Sequence, residues 1–547
     1  MIFLIALCID TEYQKSKVSI SGWAAHDGES TYCEFDEKSL FDFIINSNEK
    51  EFVINDLSII FESILILLHK SGYDIISEYK DIKPNTFLCA VSDDKEVFFL
   101  NIYQQKGKSK KTITKKVRNL RKIYNAKIDQ IAKDFNTEIE PNPFYTHNDN
   151  NIYYRIFLEN RAKITYIAYE KIKSLGVKSS TPASEGIRRF KSYYGKSFFR
   201  DFSSNVPDYE LRYGYSGGTT YIREGDKQEI FYNGVCYDCN SMYGYCAYAF
   251  DMPYKKAIAF EGRYEYDEFF PLYLQIISCS IKKKPGKWPC FVEQGNFTIN
   301  KDQIIDTKDE LIVLMLTNYD MENLFENYEV SNLEYLGGYK FQVLPKEKIM
   351  PFFHELFSIK ENADKNKIVW ARKLSKSIIV STIGKFAQRI KVRNIIPEII
   401  GECVYYKTID KELPEMYLPF AIFVNAAARR VLNKAANENI DRLIYTATDC
   451  MFLTGTEPPK NIEIDNHKIG AWKLDEEYTR LKIIDVNMYA LERPDGSTKI
   501  ACIGLSEEAT KGMKFDEFYS GKVIENNPQR VSTIGGLKIV NKKYIIP

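Results

Sequence analysis

The apolar and polar positions in the first third of the chain predict strands that alternate with helices. Met1–Asp10 is apolar until its last residue and predicts a buried strand, and Lys17–Ala24 predicts a second strand after Asp10–Glu12. Glu51–Leu68 combines a short strand with a helix, and Glu96–Tyr103 predicts another strand. This interleaving indicates a mixed α/β domain over about the first 180 residues.

The pattern changes after Ser179–Ser184, a segment with the composition of a linker between domains. Residues 211–254 alternate turn glycines with aromatic strands, and residues 356–392 have a helical period with many lysines and arginines. Residues 417–454 predict a helix followed by a strand that runs into an aspartate. Gly535-Gly536 lies between strand-rich stretches near the end of the chain, which predicts a small terminal β element.

Length and charge restrict the class of protein. A chain of 547 residues predicts three or four globular units at about 150 residues each. The net charge of +1 excludes an overall basic coat but permits local basic patches. Nine of the seventeen residues in Lys106–Lys122 are basic and none is acidic. This run is either a solvated surface or a contact to a phosphate backbone, and its charge alone does not decide between them.

Cysteine usage and the absence of targeting segments indicate an intracellular protein. The 11 cysteines are an odd number spread along the chain, which favours a reducing compartment over a disulfide framework. Cys236, Cys239 and Cys246 do not complete a zinc ligand set. The apolar N-terminus has no basic region before it, and no apolar run is long enough to span a membrane. We expect a cytoplasmic protein without membrane contact.

Three short segments carry the candidate chemistry. Val235–Tyr243 is a strand that ends in Asp238, and Leu443–Asp449 is a second apolar strand that ends in a carboxylate. Two such aspartates could hold two divalent metals roughly 4 Å apart for in-line phosphoryl transfer. Arg372–Phe386 is a basic helix that could neutralise a triphosphate. Each segment alone is a weak signal, because an aspartate at a strand end is commonly solvated or caps a helix.

Taken together, the segments resemble the protein-primed family-B DNA polymerases of the small Bacillus podophage type. Asp238–Gly244 is similar to motif A, Lys376–Phe386 to motif B and Tyr445–Cys450 to motif C of that family. Tyr215–Gly218 is similar to the Y-x-G-G element between the exonuclease and polymerase domains. The C-terminal Phe515–Phe518 is similar to the thumb, so the resemblance covers nearly the whole chain.

The resemblance implies an α/β and α+β multidomain fold, with an RNase H-like 3′–5′ exonuclease domain and a right-hand polymerase that carries two family insertions. The implied domains are the exonuclease-like domain (1–180), first part of the palm (181–260), first insertion, in the terminal-protein region (261–355), fingers (356–392), second insertion, for strand displacement (393–416), second part of the palm (417–490) and thumb (491–547).

The resemblance also implies site residues and partners. Asp238 and Asp449 would hold two Mg²⁺ ions, with Mn²⁺ as an alternative, and Asp10 and Glu12 would bind metal in the exonuclease site. The residues implied for nucleotide binding are Ser241, Tyr243, Arg372, Lys376 and Ile383, and those for DNA are Tyr215, Gly217, Gly218, Lys385 and Tyr489. The implied partners are DNA primer-template, dNTPs and a terminal protein primer. We expect a monomer that replicates a linear phage or plasmid genome with strand displacement.

Several polymerase positions depart from the family pattern. Ala447 replaces the first aspartate of motif C, and Val380 and Ile383 replace an asparagine and a tyrosine of motif B. Asn487 stands at the lysine of the primer-binding motif, and Gly244 at the proline of motif A. The loss of a negative charge at Ala447 predicts weaker metal binding or slower turnover.

The exonuclease motifs depart further. Asp10 and Glu12 match the first motif, but Ile60 stands at the aspartate of the second and Arg161 at the aspartate of the third. An arginine opposes a metal ion, so we expect exonuclease activity to be weakened or lost. Other nearby positions are the possible substitutes Asp56, Glu62 and Glu159, and Phe157 at the motif tyrosine.

Two alternatives to a template-directed polymerase remain at the level of sequence. One is a diverged relative that binds primer-template or terminal protein with little synthesis. The other is a nucleotidyltransferase with relaxed template dependence, which the changes at Val380 and Ile383 suggest.

Overall fold

The computed structural model describes residues 4–14, 17–105, 112–140, 152–223, 225–292, 303–533 and 536–547, and it leaves out the side chains of 12–14, 17–19, 533 and 536. Three sequence predictions therefore fall partly outside the described residues: Met1–Phe3 of the opening strand, 106–111 of the basic run, and Gly535.

The first part of the chain contains these elements: β1 (Leu4–Gln14), β2 (Lys17–His26), β3 (Thr31–Glu34), α1 (Glu37–Asn46), β4 (Glu51–Ile54), α2 (Leu57–Lys70), β5 (Asp74–Ile76), β6 (Thr86–Ser92), β7 (Val97–Gln105), β8 (Thr112–Asn119), α3 (Leu120–Ile123), α4 (Ile128–Asp134) and α5 (Ile152–Ser174).

The middle part contains α6 (Pro182–Tyr194), α7 (Phe198–Asp201), α8 (Asp208–Leu211), β9 (Thr220–Ile222), β10 (Ile230–Cys239), α9 (Met242–Ala249), β11 (Pro253–Glu261), β12 (Leu272–Lys283), β13 (Ile312–Thr317), α10 (Asn318–Asn327), β14 (Tyr328–Val343), α11 (Met350–Lys365) and α12 (Val369–Phe386).

The last part contains β15 (Lys391–Ile400), β16 (Cys403–Glu412), α13 (Leu418–Glu438), β17 (Leu443–Ala447), β18 (Cys450–Thr454), β19 (Trp472–Asp485), β20 (Met488–Glu492), β21 (Thr498–Cys502), α14 (Glu507–Thr510), β22 (Val523–Thr533) and β23 (Gly536–Ile545).

The N-terminal sheet has the strand order β16-β15-β6-β7-β8-β4-β1-β2-β3, with β5 beside β6. β4 runs parallel to both β1 and β8, and α2 covers one face with buried residues such as Phe61 and Leu65. The predicted mixed α/β arrangement is confirmed here. The hairpin β15–β16 comes from far along the chain and joins this sheet through pairing of Ile395 with Val91.

The opening strand extends beyond the predicted end at Asp10. β1 continues through Asp10–Glu12 to Gln14, and the register with β2 shifts between Asp10 and Thr11. A β-bulge at this point keeps the backbone paired while it redirects the next side chain, so polar residues can extend an apolar strand.

The central sheet has the order β21-β20-β19-β10-β18-β17-β9, which places β10 between β18 and β19. Helices α9, α12 and α13 contact one another and share the largest hydrophobic core with residues of this sheet. α6 crosses α12 at Gly186, where a β-carbon would lie 1.7 Å from Thr382 Oγ1. Glycine is therefore required for this close approach of α6 to α12.

Two contacts attach α12 to the N-terminal part. The Phe135 and Trp370 rings stack with centroids 5.2 Å apart, and Lys373 Nζ lies 2.8 Å from Asp134 Oδ2. The C-terminal hairpin β22–β23 is joined to the same part through Arg530, whose guanidinium lies 3.2 Å from Asp56 Oδ2. Both α12 and the hairpin β22–β23 are thus held against the N-terminal part of the chain.

The helices predicted within 356–392 and 417–454, and the strand predicted to follow the second, are confirmed by α11, α12, α13 and β17. The second predicted insertion, 393–416, falls largely on the β15–β16 hairpin. The first, 261–355, includes β12, β13 and β14 of the four-stranded sheet β11-β14-β12-β13, whose β11 lies almost entirely before it. The domain boundaries themselves stay predictions. No helix within the described ranges is long and apolar enough to cross a membrane.

Candidate functional site

Asp238 and Asp449 lie on neighbouring strands of the central sheet. Asp238 is near the end of β10 and pairs in register with Cys450, the residue that follows Asp449. The turn from β17 to β18 passes through Thr448 with φ +58°, and Cys239 N donates to Asp449 O at 2.8 Å. Antiparallel pairing therefore brings together two carboxylates that are 211 positions apart in the sequence.

The Asp238 carboxyl group is electrostatically strained. Its side chain is 20% exposed, and burial together with the charge of Asp449 raises its pKa from 3.8 to about 6. Lys473 and Lys376 act in the opposite direction, while Asp475 adds to the rise. Two carboxylates that repel each other in a half-buried place fit a divalent cation, because its charge would relieve both the repulsion and the desolvation.

The motif C replacement at Ala447 removes a carboxylate from a position beside Asp449. Ala447 is the last residue of β17 and immediately precedes the turn that carries Asp449. Thr448 Oγ1 donates to Asp449 Oδ1 at 3.0 Å, which orients that carboxylate. Within the described part of the chain, no group of three or more His, Cys, Asp or Glu residues is arranged to hold a metal ion. The site therefore rests on two aspartates with little further carboxylate support.

Cationic side chains lie near Asp238 and along α12. Arg372, Lys376, Val380 and Gly384 follow each other at helical spacing on α12, and Lys376, Val380 and Gly384 are exposed. Lys473 Nζ lies 3.6 Å from Asp238 Oδ2. A basic helix beside paired carboxylates suits an anionic ligand whose charge is shared with bound metals.

Lys360 is a site residue that the sequence analysis missed. It lies on α11 with 2% exposure, and its ammonium group donates to Ser241 Oγ at 2.9 Å and to Asn240 Oδ1 at 2.5 Å. Burial lowers its pKa to about 8, and the nearby charges of Arg372, Lys473 and Lys376 contribute in the same direction. A sequence signal existed, because Lys360 falls on a helix face whose other members, such as Phe353 and Phe357, are apolar.

Tyr243, on α9, connects three of the predicted segments. A β-carbon on Gly218 would lie 2.5 Å from Tyr243 Oη and 2.8 Å from Thr448 Cγ2. Gly218 thus packs directly between the motif A tyrosine and the motif C turn, which explains the need for glycine there. Gly217 has open space where its β-carbon would be. Ser241 begins α9 in a left-handed conformation, with φ +56°.

The loop that contains Tyr215 is held by a buried arginine. Arg429 on α13 donates to Ser216 O at 2.8 Å and to Gly217 O at 3.1 Å, and it forms a paired ion contact with Asp320 at 2.8 Å. Both side chains are almost fully buried. A buried and paired arginine fixes the loop rigidly, because breaking the pair would leave a charge in the core. The sequence analysis missed Arg429, although an arginine within the apolar α13 was a signal.

Three predicted residues lie apart from this cluster. Ile383 is 5% exposed in the main core, so it does not share the exposed stripe of Lys376. Burial, and next Lys191, lowers the pKa of Lys385 at the far end of α12. Tyr489 lies on β20 with its ring centroid 5.2 Å from that of Phe452. Their assigned roles stay predictions.

The side-chain carboxylate of Asp10, on β1, accepts hydrogen bonds from other groups of the protein. Thr11 N donates to Asp10 Oδ1 and Tyr154 Oη donates to Asp10 Oδ2, each at 3.0 Å. Arg161 stacks on Phe157, 3.7 Å from its centroid, and lies close enough to Asp10 for their charges to interact. The side chain of Glu12 lies outside the described residues. Tyr154, which the sequence analysis did not single out, is the tyrosine that reaches the carboxylate.

The acidic substitutes considered from the sequence have other partners. Asp56 contacts Arg530 at 3.2 Å and Arg121 at 3.5 Å. Burial raises the pKa of Glu62, which lies beside Tyr406. Glu159 lies 3.8 Å from Arg155 on the same helix. The described residues at the second and third exonuclease motifs, Ile60 and Arg161, therefore do not supply the carboxylates that the resemblance implies.

Comparisons with known proteins agree with this geometry. Residues 99–467 match the family described as DNA polymerase type B, organellar and viral, and the chain belongs to that family. The chain is 28% identical to the DNA polymerase of Bacillus phage B103 over 495 residues, and 27% identical to that of Bacillus phage phi29 over 495 residues. Each alignment covers 85% of both proteins. The chain is accordingly a DNA-directed DNA polymerase.

The fold also matches solved structures. Phi29 DNA polymerase complexed with primer-template DNA and incoming nucleotide substrates superposes with a TM-score of 0.87 at 23% identity, and each chain is covered completely. The orthorhombic crystal form of the same polymerase gives 0.86. The predicted fold class, with an exonuclease-like domain and a right-hand polymerase, is confirmed. Family-B DNA polymerases use divalent metal ions, which the paired aspartates fit.

The raised pKa of Asp238 predicts a pH-dependent stability effect of Asp238→Asn without metal. Because the pKa rises from 3.8 to about 6 on folding, ionisation of this group costs stability as the pH rises through that range. In EDTA at pH 8, Asp238→Asn should stabilise the protein by on the order of 1–3 kcal/mol. At pH 4 the gain should vanish. Chemical denaturation at both pH values measures this, and an equal change at the two values would contradict the assignment.

Proposed function

We propose that this polymerase extends a primer by template-directed, two-metal nucleotidyl transfer, and that it starts replication of a linear phage or plasmid genome from a protein hydroxyl. The observation that carries the proposal is that Asp238 and Asp449 lie together on neighbouring strands, close to Lys376 and Lys473. Relatives of similar length are DNA polymerases of Bacillus phages, and a solved relative of the same fold holds primer-template DNA and nucleotides.

Each residue of the cluster has a proposed task. Asp238 and Asp449 would hold two divalent ions, Mg²⁺ or Mn²⁺. When bound, such ions would supply activation of the attacking hydroxyl and neutralisation of charge on the phosphates. Lys360, Arg372 and Lys376 attract the triphosphate and orient it toward the carboxylates. The resulting alignment supplies much of the rate, because phosphoryl transfer depends mainly on positioning and charge stabilisation.

Tyr243 is proposed to support the sugar of the incoming nucleotide and to exclude a 2′-hydroxyl. Its ring is half-buried, and its hydroxyl is fixed against Gly218 by direct packing. The loop Tyr215–Gly218 is proposed to contact the template strand. Its carbonyls are turned inward to Arg429, which leaves the outer surface of the loop available at Gly217, where a β-carbon would meet open space.

Asp449→Ala tests the polymerase proposal. With Mg²⁺ or Mn²⁺ on a defined primer-template, this variant should extend the primer about a thousandfold more slowly, because one of the two metal-binding carboxylates is gone. Asp441→Ala is the matched control, since Asp441 is an exposed aspartate whose partner Lys460 lies 3.1 Å away on the surface. It should extend primers at the wild-type rate.

Other results would favour a different function. If wild-type protein incorporates nothing with either metal, the chain is a diverged protein that binds DNA or a terminal protein. If incorporation ignores the template sequence, it is a nucleotidyltransferase with relaxed template dependence, and the exposed Val380 on the nucleotide-facing stripe becomes the first position to vary.

The two insertions are proposed to serve protein priming and strand displacement. In and around the four-stranded sheet, large apolar side chains are exposed, among them Tyr266 at 80% and Phe269 at 70%. Exposed aromatic residues of this size favour protein contact, here with a terminal protein. The hairpin β15–β16 also exposes Ile400 and Tyr405 and extends the N-terminal sheet beside the central region. It is suited to separate the strands of a duplex ahead of the site.

Removing the hairpin tests strand displacement. A chain in which a short Gly-Ser linker replaces 391–412 should extend primers on single-stranded template but stall at a downstream duplex. The double substitution Ile400→Ser and Tyr405→Ser keeps the backbone pairing and should reduce displacement about fivefold or more, since base-facing apolar contacts are lost. Gel analysis of gapped substrates separates the two steps. Equal synthesis through duplex by all three proteins would contradict the assignment.

We also propose that the N-terminal domain does not proofread by a two-metal mechanism. Asp10 is engaged by Tyr154, and the charge of Arg161 opposes a cation at that carboxylate. Asp10→Ala should therefore leave the removal of a mismatched 3′ nucleotide unchanged within about twofold. The measurement is trimming of a labelled mismatched primer without dNTPs. Efficient trimming by the wild type that Asp10→Ala abolishes would show that the exonuclease is active.

A further inference from the structure

A lysine occupies a place beside the catalytic carboxylates that no motif predicts. Lys473 is the second residue of β19, and the register of β19 with β10 sets it directly opposite Asp238. Its ammonium nitrogen lies 3.6 Å from Asp238 Oδ2, and the two side chains are 21% and 20% exposed. The pair is therefore mostly shielded from solvent. An ion contact in such a place is stronger than one on an open surface.

The surroundings of Lys473 contain both carboxylates and other cations. Asp238 is its ion-pair partner, and the charges of Asp449 and Asp475 also act on Asp238. The charge of Lys473 acts on Lys360 together with those of Arg372 and Lys376. Lys473 is thus close both to the carboxylates that would hold metal and to the cations that would hold phosphate.

We propose that Lys473 is a positioning residue that serves as the counterion of Asp238 before metal binds and that turns to the triphosphate once metal and nucleotide arrive. This inference rests on the proposed function, because it takes Asp238 as a metal ligand. A divalent ion at Asp238 must compete with an ammonium group already beside the same oxygen. The freed ammonium group then gains a strongly anionic partner.

The arrangement has a definite consequence for the order of binding. Without nucleotide, Lys473 weakens metal binding through like-charge repulsion, and Ala447 adds no carboxylate to offset it. With nucleotide, the same lysine favours the complex. Metal affinity and nucleotide affinity should therefore respond in opposite directions when the charge at position 473 is removed. A merely structural ion pair would weaken both or neither.

Lys473→Ala in the full-length protein tests this. Mn²⁺ binding in the absence of nucleotide, followed by electron paramagnetic resonance, should tighten about fivefold or more, while the KM for dATP in primer extension rises by a similar factor. Lys473→Arg retains the charge and should stay within about twofold of wild type in both. Lys460→Ala, which breaks the exposed pair with Asp441, should change neither. Thermal melting confirms that each variant is folded.

Asp238→Asn separates the possible failures. In that background Lys473→Ala should no longer change Mn²⁺ binding, because the competing pair is already gone. If Asp238→Asn removes a Mn²⁺ site but Lys473→Ala leaves its affinity unchanged, the inference is wrong and the proposed function stands. If Lys473→Ala binds Mn²⁺ more tightly but its KM for dATP is unchanged, Lys473 does not turn to the triphosphate and the inference is also wrong. If Asp238→Asn binds Mn²⁺ as the wild type does, the proposed function fails, and the inference fails with it.

Discussion

The repulsion between Asp238 and Asp449 is the constraint around which the central part of this molecule is organised. Folding of the antiparallel sheet places both carboxylates at one end of adjacent strands, where burial leaves little solvent to screen them. Such a pair is unfavourable by itself, and the surrounding structure compensates for it with cations. Lys473 stands opposite Asp238, and Lys376 contributes from α12. Bound metal ions would also compensate for this repulsion, because their positive charge offsets the negative charge of the two carboxylates.

The N-terminal domain contains a comparable carboxylate with a different outcome. Asp10 is satisfied by a backbone amide and by Tyr154, and a stacked arginine supplies the nearby positive charge. A carboxylate satisfied in this way has less need of a metal ion. Asp56 forms an ion contact with Arg530, which connects the C-terminal hairpin to the N-terminal part of the chain. Asp56 and the pairing of β15 with β6 thus link this part of the chain to segments far along the sequence.

Rigid support of the site comes from residues that bind no substrate in our proposal. Arg429 and Asp320 form a buried pair that holds the loop Tyr215–Gly218, and Gly186 permits the close crossing of α6 and α12. Because a broken buried pair leaves an uncompensated charge, this loop has few alternative positions. Gly218 links it sterically to Tyr243 and to the motif C turn. Three segments far apart in sequence are therefore packed directly against one another.

The sequence by itself determined the local features: the strands that deliver Asp238 and Asp449, the basic helix α12, and the changes at Ala447 and Arg161. These follow from short-range patterns of apolar, charged and turn-forming residues. Only the tertiary structure decided that Lys473 opposes Asp238, that Lys360 is buried beside Ser241, and that β1 continues through Asp10. Strand register, bulges and helix packing depend on contacts between distant segments, and a one-residue change of register would turn each side chain to the other face of the sheet.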